Sequence, residues 1–308
     1  MPIRRSTADK LKKPLLYLVV CIILLCGTLY YYNKGETSAP GFSDWADDYS
    51  ADGLEVHFID VGQGDCTLLL CGDAAVLVDG GEYENGRAIV NYCKHHGVEK
   101  LDLLVATHRH SDHIGGLSVV IEKMQVDEVL INRTDESHNI DSYDYSELNY
   151  DLIMNNITVT VAENSSVYQF DELLLEVMTG IADSDDENES GIILRCIYEE
   201  SSVLLTGDIG EEAERKLLAE NAALDCDLLK VAHHGSKNSS CADFLDAVTP
   251  QISVVSCGED NLYGHPNEET LQRLQNVKSI IYRTDQAGTI AFSCKNNTIE
   301  IISDGKEE

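Results

Sequence analysis

Apolar residues along this chain fall into short, dense runs separated by polar turns, with longer periodic stretches between some of them. Runs rich in Val, Leu and Ile predict strands at 54–60, 66–70, 75–79, 102–106 and 127–131. Helical patterning is expected at about 84–96 and 114–123. Further strands are predicted at 157–161, 167–170, 172–177, 191–198 and 202–206, followed by a helix at 210–220. The last third alternates again, with strand-like 227–232 and 251–256, a helix at 267–276, and strands at 279–283, 288–294 and 297–302. Strand clusters followed by helices predict an α/β fold with two sheets face to face and helices outside, a four-layer αββα arrangement. No repeat of fixed period is visible, and the acidic block 183–189 reads as a solvated loop.

The N-terminus follows a different pattern. A basic tail, residues 1–13, carries Arg4, Arg5, Lys10, Lys12 and Lys13, and residues 14–32 then run nineteen positions without a charge. A membrane-spanning helix needs roughly 20 such residues. Tyr30, Tyr31 and Tyr32 close the run where an interfacial aromatic belt is expected, and the basic flank places the N-terminus in the cytoplasm. A cleaved signal needs a small-residue site, and nothing between Leu24 and Lys34 offers a good one, although Thr37-Ser38-Ala39 comes close. A lipoprotein signal at Cys26 would have Leu25 where a small residue is wanted. The expectation is a single-pass transmembrane anchor at 14–32 in the cell membrane, an acidic polar linker at 33–53 and an extracytoplasmic domain at 54–304.

Charge narrows the partners. The chain has 22 basic and 54 acidic residues, a net of −32. Beyond residue 34 the balance is 16 basic against 53 acidic, a net of −37. A field of that sign repels polyanions and argues against a generic DNA-binding surface. Of ten cysteines, Cys21 and Cys26 lie in the apolar span. The other eight have irregular spacing without a Cys-x-x-Cys pair and read as small core hydrophobes.

The candidate chemistry sits at the ends of apolar runs. His108-Arg109-His110-Ser111-Asp112-His113 follows the run 101–106 and packs three imidazoles and a carboxylate into six residues. One short loop of that composition can supply ligands to two neighbouring metal ions, and the donors suit Zn²⁺, Mn²⁺ or Fe²⁺. A hydroxide held between two such ions is a nucleophile at neutral pH. Downstream, Gly207-Asp208 ends a second strand, and a carboxylate there can bridge two cations. His233-His234-Gly235-Ser236 ends a third. Strand ends meeting at one sheet edge are where α/β folds place their sites. Lys230 could stabilise developing negative charge, or extend to solvent as strand lysines often do. Asp79, followed by two glycines, is placed to buttress the His loop. Asp60 and Asp65 frame a Gly-Gln-Gly turn and read as hairpin residues.

These motifs resemble the metallo-β-lactamase superfamily. Residues 58–65 (FIDVGQGD), 77–81 (LVDGG), 229–236 (LKVAHHGS) and 263–266 (YGHP) are more narrowly similar to the metallo-β-lactamase domain of ComEC-type competence proteins. The resemblance covers about residues 54–302 and implies an αββα sandwich with a two-metal site at one edge. It implies that His108 and His110 hold one ion and Asp112 and His113 the other, with Asp208 bridging. His233 or His234 completes the second site, and His233, the first after the strand, is the expected ligand. His265 lies near the site by the same resemblance, where it could donate a proton to a leaving group or bind phosphate. Many superfamily members place a further His between the Asp-His pair and the Gly-Asp turn. Only His138 lies in that interval here, and it reads as a surface residue. ComEC-like domains carry an Asn- or Ser-rich segment instead, similar to residues 188–191. The two ions are expected to be Zn²⁺ or Mn²⁺, with the first held loosely.

The expected function is hydrolysis of a phosphoester, most simply a phosphodiester, with Asp112, Asp208, His265 and Lys230 in the catalytic set. The substrate would be DNA or a cell-surface polymer, and the acidic domain favours the smaller or surface-attached one. With one apolar span the chain cannot itself form a DNA pore, so a role in DNA uptake would require a separate channel protein. Alternative expectations are hydrolysis of carboxylic esters, lactones or β-lactams, and a non-catalytic binding module on the same fold.

Overall fold

The computed structural model describes residues 51–132, 143–181, 184–220 and 222–303. Strands β1 (Ala51–Phe58), β2 (Thr67–Gly72) and β3 (Ala74–Val78) form an antiparallel meander. Helix α1 (Gly86–His95) leads to β4 (Lys100–Leu101) and β5 (Leu103–Ala106). Next come α2 (Ser111–Ile114), α3 (Leu117–Lys123), β6 (Gln125–Val126), β7 (Glu128–Ile131), α4 (Tyr143–Met154) and β8 (Thr158–Val161). The second half runs β9 (Val167–Phe170), β10 (Leu173–Thr179), β11 (Ile192–Tyr198), β12 (Ser201–Leu205) and α5 (Glu211–Ala219). It continues through β13 (Leu228–Lys230), α6 (Ala242–Val248), β14 (Ile252–Val255), α7 (Glu268–Asn276), β15 (Ile280–Arg283) and α8 (Thr284–Ala287). Strands β16 (Ile290–Lys295) and β17 (Thr298–Ser303) then return to the first sheet.

The first sheet is ordered β17-β16-β1-β2-β3-β5-β7-β8 and the second β15-β14-β13-β12-β11-β10-β9. Three apolar cores separate four layers. Between the sheets, Val56, Phe58, Val76 and Val105 of the first meet Val177, Leu194, Val203 and Leu205 of the second. Alternate residues of the first sheet, such as Leu68, Leu77 and Leu104, face outward onto Ile89 and Cys93 of α1 and Val120 of α3. Leu204 and Leu229 of the second sheet likewise face Leu217, Phe244 and Leu274 of α5, α6 and α7. Each fully buried side chain of this kind contributes about 1.5–3 kcal/mol. Strands β5 and β12 are buried on both faces, which accounts for the unbroken apolar run of β5 and for Val203, Leu204 and Leu205 in β12.

One side of each sheet, out to its edge, is parallel: β3, β5, β7 and β8 in the first, β12 through β15 in the second. Parallel strands deliver their C-terminal ends to one edge. The loops after β3, β5, β12, β13 and β14 therefore gather at a single rim.

Three local features differ from expectation. Strand β1 begins at Ala51, inside the segment read as linker, because a bulge at Gly53 (φ 121°) carries pairing past the irregular register. Helix α4 buries only Leu148 and Leu152, too narrow a stripe to stand out in the sequence. Helix α6 is seven residues long and was likewise not predicted. The expected anchor at 14–32 and His138 lie outside the described residues. Among the described residues, no helix is long and apolar enough to cross a membrane.

Candidate metal centre

Strand β3 ends in Asp79, whose left-handed backbone (φ 61°) turns its carboxylate under the loop that follows β5. Oδ1 accepts from the Thr107 amide at 2.9 Å and Oδ2 from the Thr107 hydroxyl at 2.8 Å. Oδ2 also meets His113 Nδ1 at 2.7 Å. This contact aims His113 Nε2 at Asp208, 3.3 Å from Oδ2. A carboxylate behind an imidazole is the usual means of orienting a metal-ligating histidine.

Asp112 and His113 fall on α2, directly after His110. Asp112, His113, Asp208 and His234 each present one ligand atom, all within 4.8 Å of one another. His234 Nε2 lies 3.2 Å from Asp208 Oδ2 and 3.3 Å from Asp112 Oδ2. The opposite nitrogen, Nδ1, is 2.9 Å from the Ser256 carbonyl after β14, so the ring is fixed from behind. His108 Nε2 and His110 Nδ1 face each other at 3.1 Å.

Of the two adjacent imidazoles, His234 rather than the expected His233 joins the four-residue group. Both have positive φ, 49° and 51°, in the tight turn after β13. The turn drives His234 inward, while His233 stays 30% exposed with Nε2 3.9 Å from Asp208. Lys230 also departs from expectation. It does not line the cleft: its ammonium is buried beneath the ligands, donates to the Gly207 carbonyl at 3.0 Å, pairs with Asp65 and stands 3.7 Å from Asp208 Oδ1. A lysine fixed there balances carboxylates instead of touching a substrate. Asp65, read as a hairpin residue, is buried with Oδ1 3.3 Å from His234 Nδ1 and clusters with Asp79 and His113. Its signal in the sequence was the preceding Gly64. A Cβ at that position (φ 144°) would fall 2.4 Å from the Asp112 carbonyl, which the Asp65 amide bonds at 3.1 Å.

The electrostatics follow from this crowding. Burial favours neutral groups, yet His234 and His113 override it and hold Asp208 well below the usual carboxylate range. Burial would likewise lower His113, but Asp208 and Asp79 raise it far above an ordinary histidine. His108, buried with no carboxylate as close, is pushed well down and stays neutral. Burial and the neighbouring His233 and His234 lower His265 to about 4. A neutral His265 suits an N–H contact to phosphate, not proton donation to a leaving group at pH 7.

An open cleft of about 320 Å³ lies over these groups, lined by Gln63, His110, Asp112, Asn188, His233, Tyr263 and His265 among others. Asp65 Oδ1, His113 Nε2, Asp208 Oδ1 and His234 Nε2 are buried without a hydrogen-bond partner among the described residues. Clustered nitrogen and carboxylate donors that converge without hydrogen bonds at these atoms fit divalent cations.

Behind the His turn, buried Glu214 of α5 accepts the Ser240 and Cys241 amides and so anchors the segment that follows. Burial raises its pKa from 4.5 to about 7. A carboxyl raised in the folded state favours folding at low pH, and this contribution fades as pH climbs from 4.5 through 7. The difference amounts to about 3 kcal/mol. Glu214→Gln, neutral throughout, should flatten the fall in chemical-denaturation stability between pH 5 and 7.5. An unchanged slope would remove Glu214 from the account.

Comparison with known families agrees with this geometry. The profile of the metallo-beta-lactamase superfamily matches residues 59–259, so the chain belongs to that superfamily. Within it, the chain is 29% identical over 261 residues to ComE operon protein 3 of Bacillus subtilis, covering 79% of this chain and 33% of that protein. It is 26% identical over 293 residues to Recombination protein 2 of Haemophilus influenzae, covering 91% and 32%. Competence protein ComA of Neisseria gonorrhoeae is 28% identical over 236 residues, covering 76% of this chain and 31% of ComA. The chain thus spans about a third of the length of these relatives. Among solved structures, the fold is similar to the metallo-beta-lactamase fold protein YhfI from Bacillus subtilis. The TM-score is 0.51 and the identity 14%, over 77% of this chain and 99% of that one. It is also similar to CmlA, a diiron beta-hydroxylase from Streptomyces venezuelae, with TM-score 0.53 and 14% identity over 79% and 55%. At such identities these likenesses show the fold alone.

Proposed function

We propose that this protein is a membrane-anchored, extracytoplasmic phosphodiesterase that uses two divalent ions. The observation that carries the reading is the convergence of Asp112, His113, Asp208 and His234 on one point at the floor of an open cleft. When bound, the ions would supply an activated water and neutralise the phosphate oxygens of the substrate. Asp208 would orient that water, since its carboxylate faces both inward-pointing imidazoles. Asp79 and the Ser256 carbonyl hold those imidazoles from behind. His265 and Gln63 would contact the phosphate from the cleft wall.

The names of two relatives, a competence protein and a recombination protein, support a nucleic-acid phosphodiester as the substrate. The acidic balance of the chain favours a short or single-stranded substrate over long duplex. A DNA-uptake role for this domain would call for a channel, since its cleft serves as a hydrolytic centre. The deciding assay is hydrolysis of bis(p-nitrophenyl) phosphate and of single-stranded DNA by the purified chain, before and after chelation. Turnover should vanish on metal removal and return with Zn²⁺ or Mn²⁺. Cleavage of a lactone or β-lactam but no diester would move the chain to that class, and metal binding without any turnover would make it a binding module.

A further inference from the structure

The loop from Gly258 to Asn267 supplies Tyr263 and His265 to the cleft wall, and it is tied at both ends and across its middle. The Gly258 amide donates to Gln63 Oε1 at 3.2 Å, and the Asn267 amide donates to the Gly235 carbonyl at 2.8 Å. Between these ties, Asn261 Nδ2 donates to the Gly258 carbonyl at 2.9 Å and to the His265 carbonyl at 2.5 Å. Its Oδ1 accepts from the His265 amide at 3.0 Å. At the tip, Leu262 is fully exposed and Tyr263 is 72% exposed, and neither packs into the three apolar cores. Side chains held out by a fixed loop beside a site are placed to meet a ligand. The Tyr263 ring lies nearly parallel to that of His265, at 23° and 5.8 Å between centroids. His265 in turn lies at 31° and 6.4 Å from His234. These are offset-stacking distances, so a ladder of rings leads from solvent down to the metal-ligating group, with Tyr263 as its outer rung.

Charge decides what that rung can hold. Among the described residues lining the cleft, none is lysine or arginine, and the chain carries a net charge of −32. Phosphates flanking the scissile one meet no basic side chain there, and the field of the domain repels them. A nucleobase is uncharged, and stacking on an aromatic ring needs no counter-charge. We infer that Tyr263 is a stacking platform for the nucleobase next to the scissile phosphate, an assignment that rests on the phosphodiesterase reading above. The platform selects single-stranded nucleic acid, whose bases can leave their neighbours, over duplex. It equally selects against phosphodiester polymers that carry no base. Every base offers a π-face, so the selection is for a base and not for a sequence.

The test uses the full chain in detergent, supplied with Mn²⁺, and the dinucleotide thymidylyl-thymidine beside its two analogues with an abasic sugar on one or the other side of the phosphate. Tyr263→Ala should raise KM for the intact dinucleotide about tenfold, the worth of one stacked base, and leave kcat unchanged. In the wild type, removing one of the two bases should raise KM by the same factor. Tyr263→Ala should add nothing on that analogue, because ring and base make one interaction. Tyr263→Phe should keep the wild-type KM, whereas Tyr263→Leu, apolar without a ring, should not. An equal rise in KM for intact and abasic substrates, or a fall in kcat with KM unchanged, overturns the platform. Binding of fluorescein-labelled oligothymidylate, read by anisotropy, separates this inference from the catalytic one. If the wild type cleaves no phosphodiester, the proposed function fails, and binding that weakens about tenfold in Tyr263→Ala still upholds the platform. Binding equal in both proteins, or absent from the wild type, overturns it.

Discussion

Asp208→Ala is expected to lower phosphodiester turnover more than about 100-fold, because even outer partners of metal ligands are worth 10–100-fold in affinity or activity. Asp208 is the carboxylate that both inward imidazoles face, His113 at 3.3 Å and His234 at 3.2 Å. No neighbour can take its place: Asp112 approaches only His234, and Asp65 and Asp79 stand behind the rings. The fold should survive, since Asp208 follows β12 and contributes to none of the three apolar cores. Metal content per chain should fall alongside the activity, with far-ultraviolet circular dichroism unchanged. Near wild-type turnover in this variant would remove the centre from the mechanism.

Lys230→Met should be the most damaging substitution for stability. The ammonium is a buried cation set between Asp65 and Asp208, and those carboxylates, against the pull of burial, raise its pKa. Removing one partner of a buried ion pair leaves an uncompensated charge and costs about 3–5 kcal/mol. For a domain of this size that is roughly a 10 °C fall in melting temperature. Asp65→Asn in the same chain should restore part of the loss, because it removes the stranded anion, and a double-mutant cycle measures that coupling. A melting temperature within 2 °C of wild type for Lys230→Met would show that water, not lysine, balances these acids.

Much of the site was legible in the sequence because its donors cluster on single loops. His108, His110, Asp112 and His113 share one short segment, and α2 places the last two in its first turn. What stayed hidden depended on side-chain direction. Adjacent His233 and His234 are chemically alike, and only the left-handed turn after β13 decides which one is buried. Lys230 looked like a substrate contact, but its strand aims it into the interior. Asp65 comes from a loop far from the histidines along the chain, and only the close approach at Gly64 hinted at its place. Helix α4 was missed because it buries only two residues, and α6 because it is only seven residues long.

By itself the sequence determined the layered α/β architecture, since runs buried on both faces and amphipathic helices admit few other arrangements. It also determined the type of chemistry, because imidazoles and carboxylates at strand ends have few other uses. The tertiary structure alone decided which donors meet. Parallel strands bring five loop ends to one rim, and at that rim backbone turns and buried charge pairing, which depend on neighbours distant in the chain, select His234 over His233 and set Lys230 beneath the ligands.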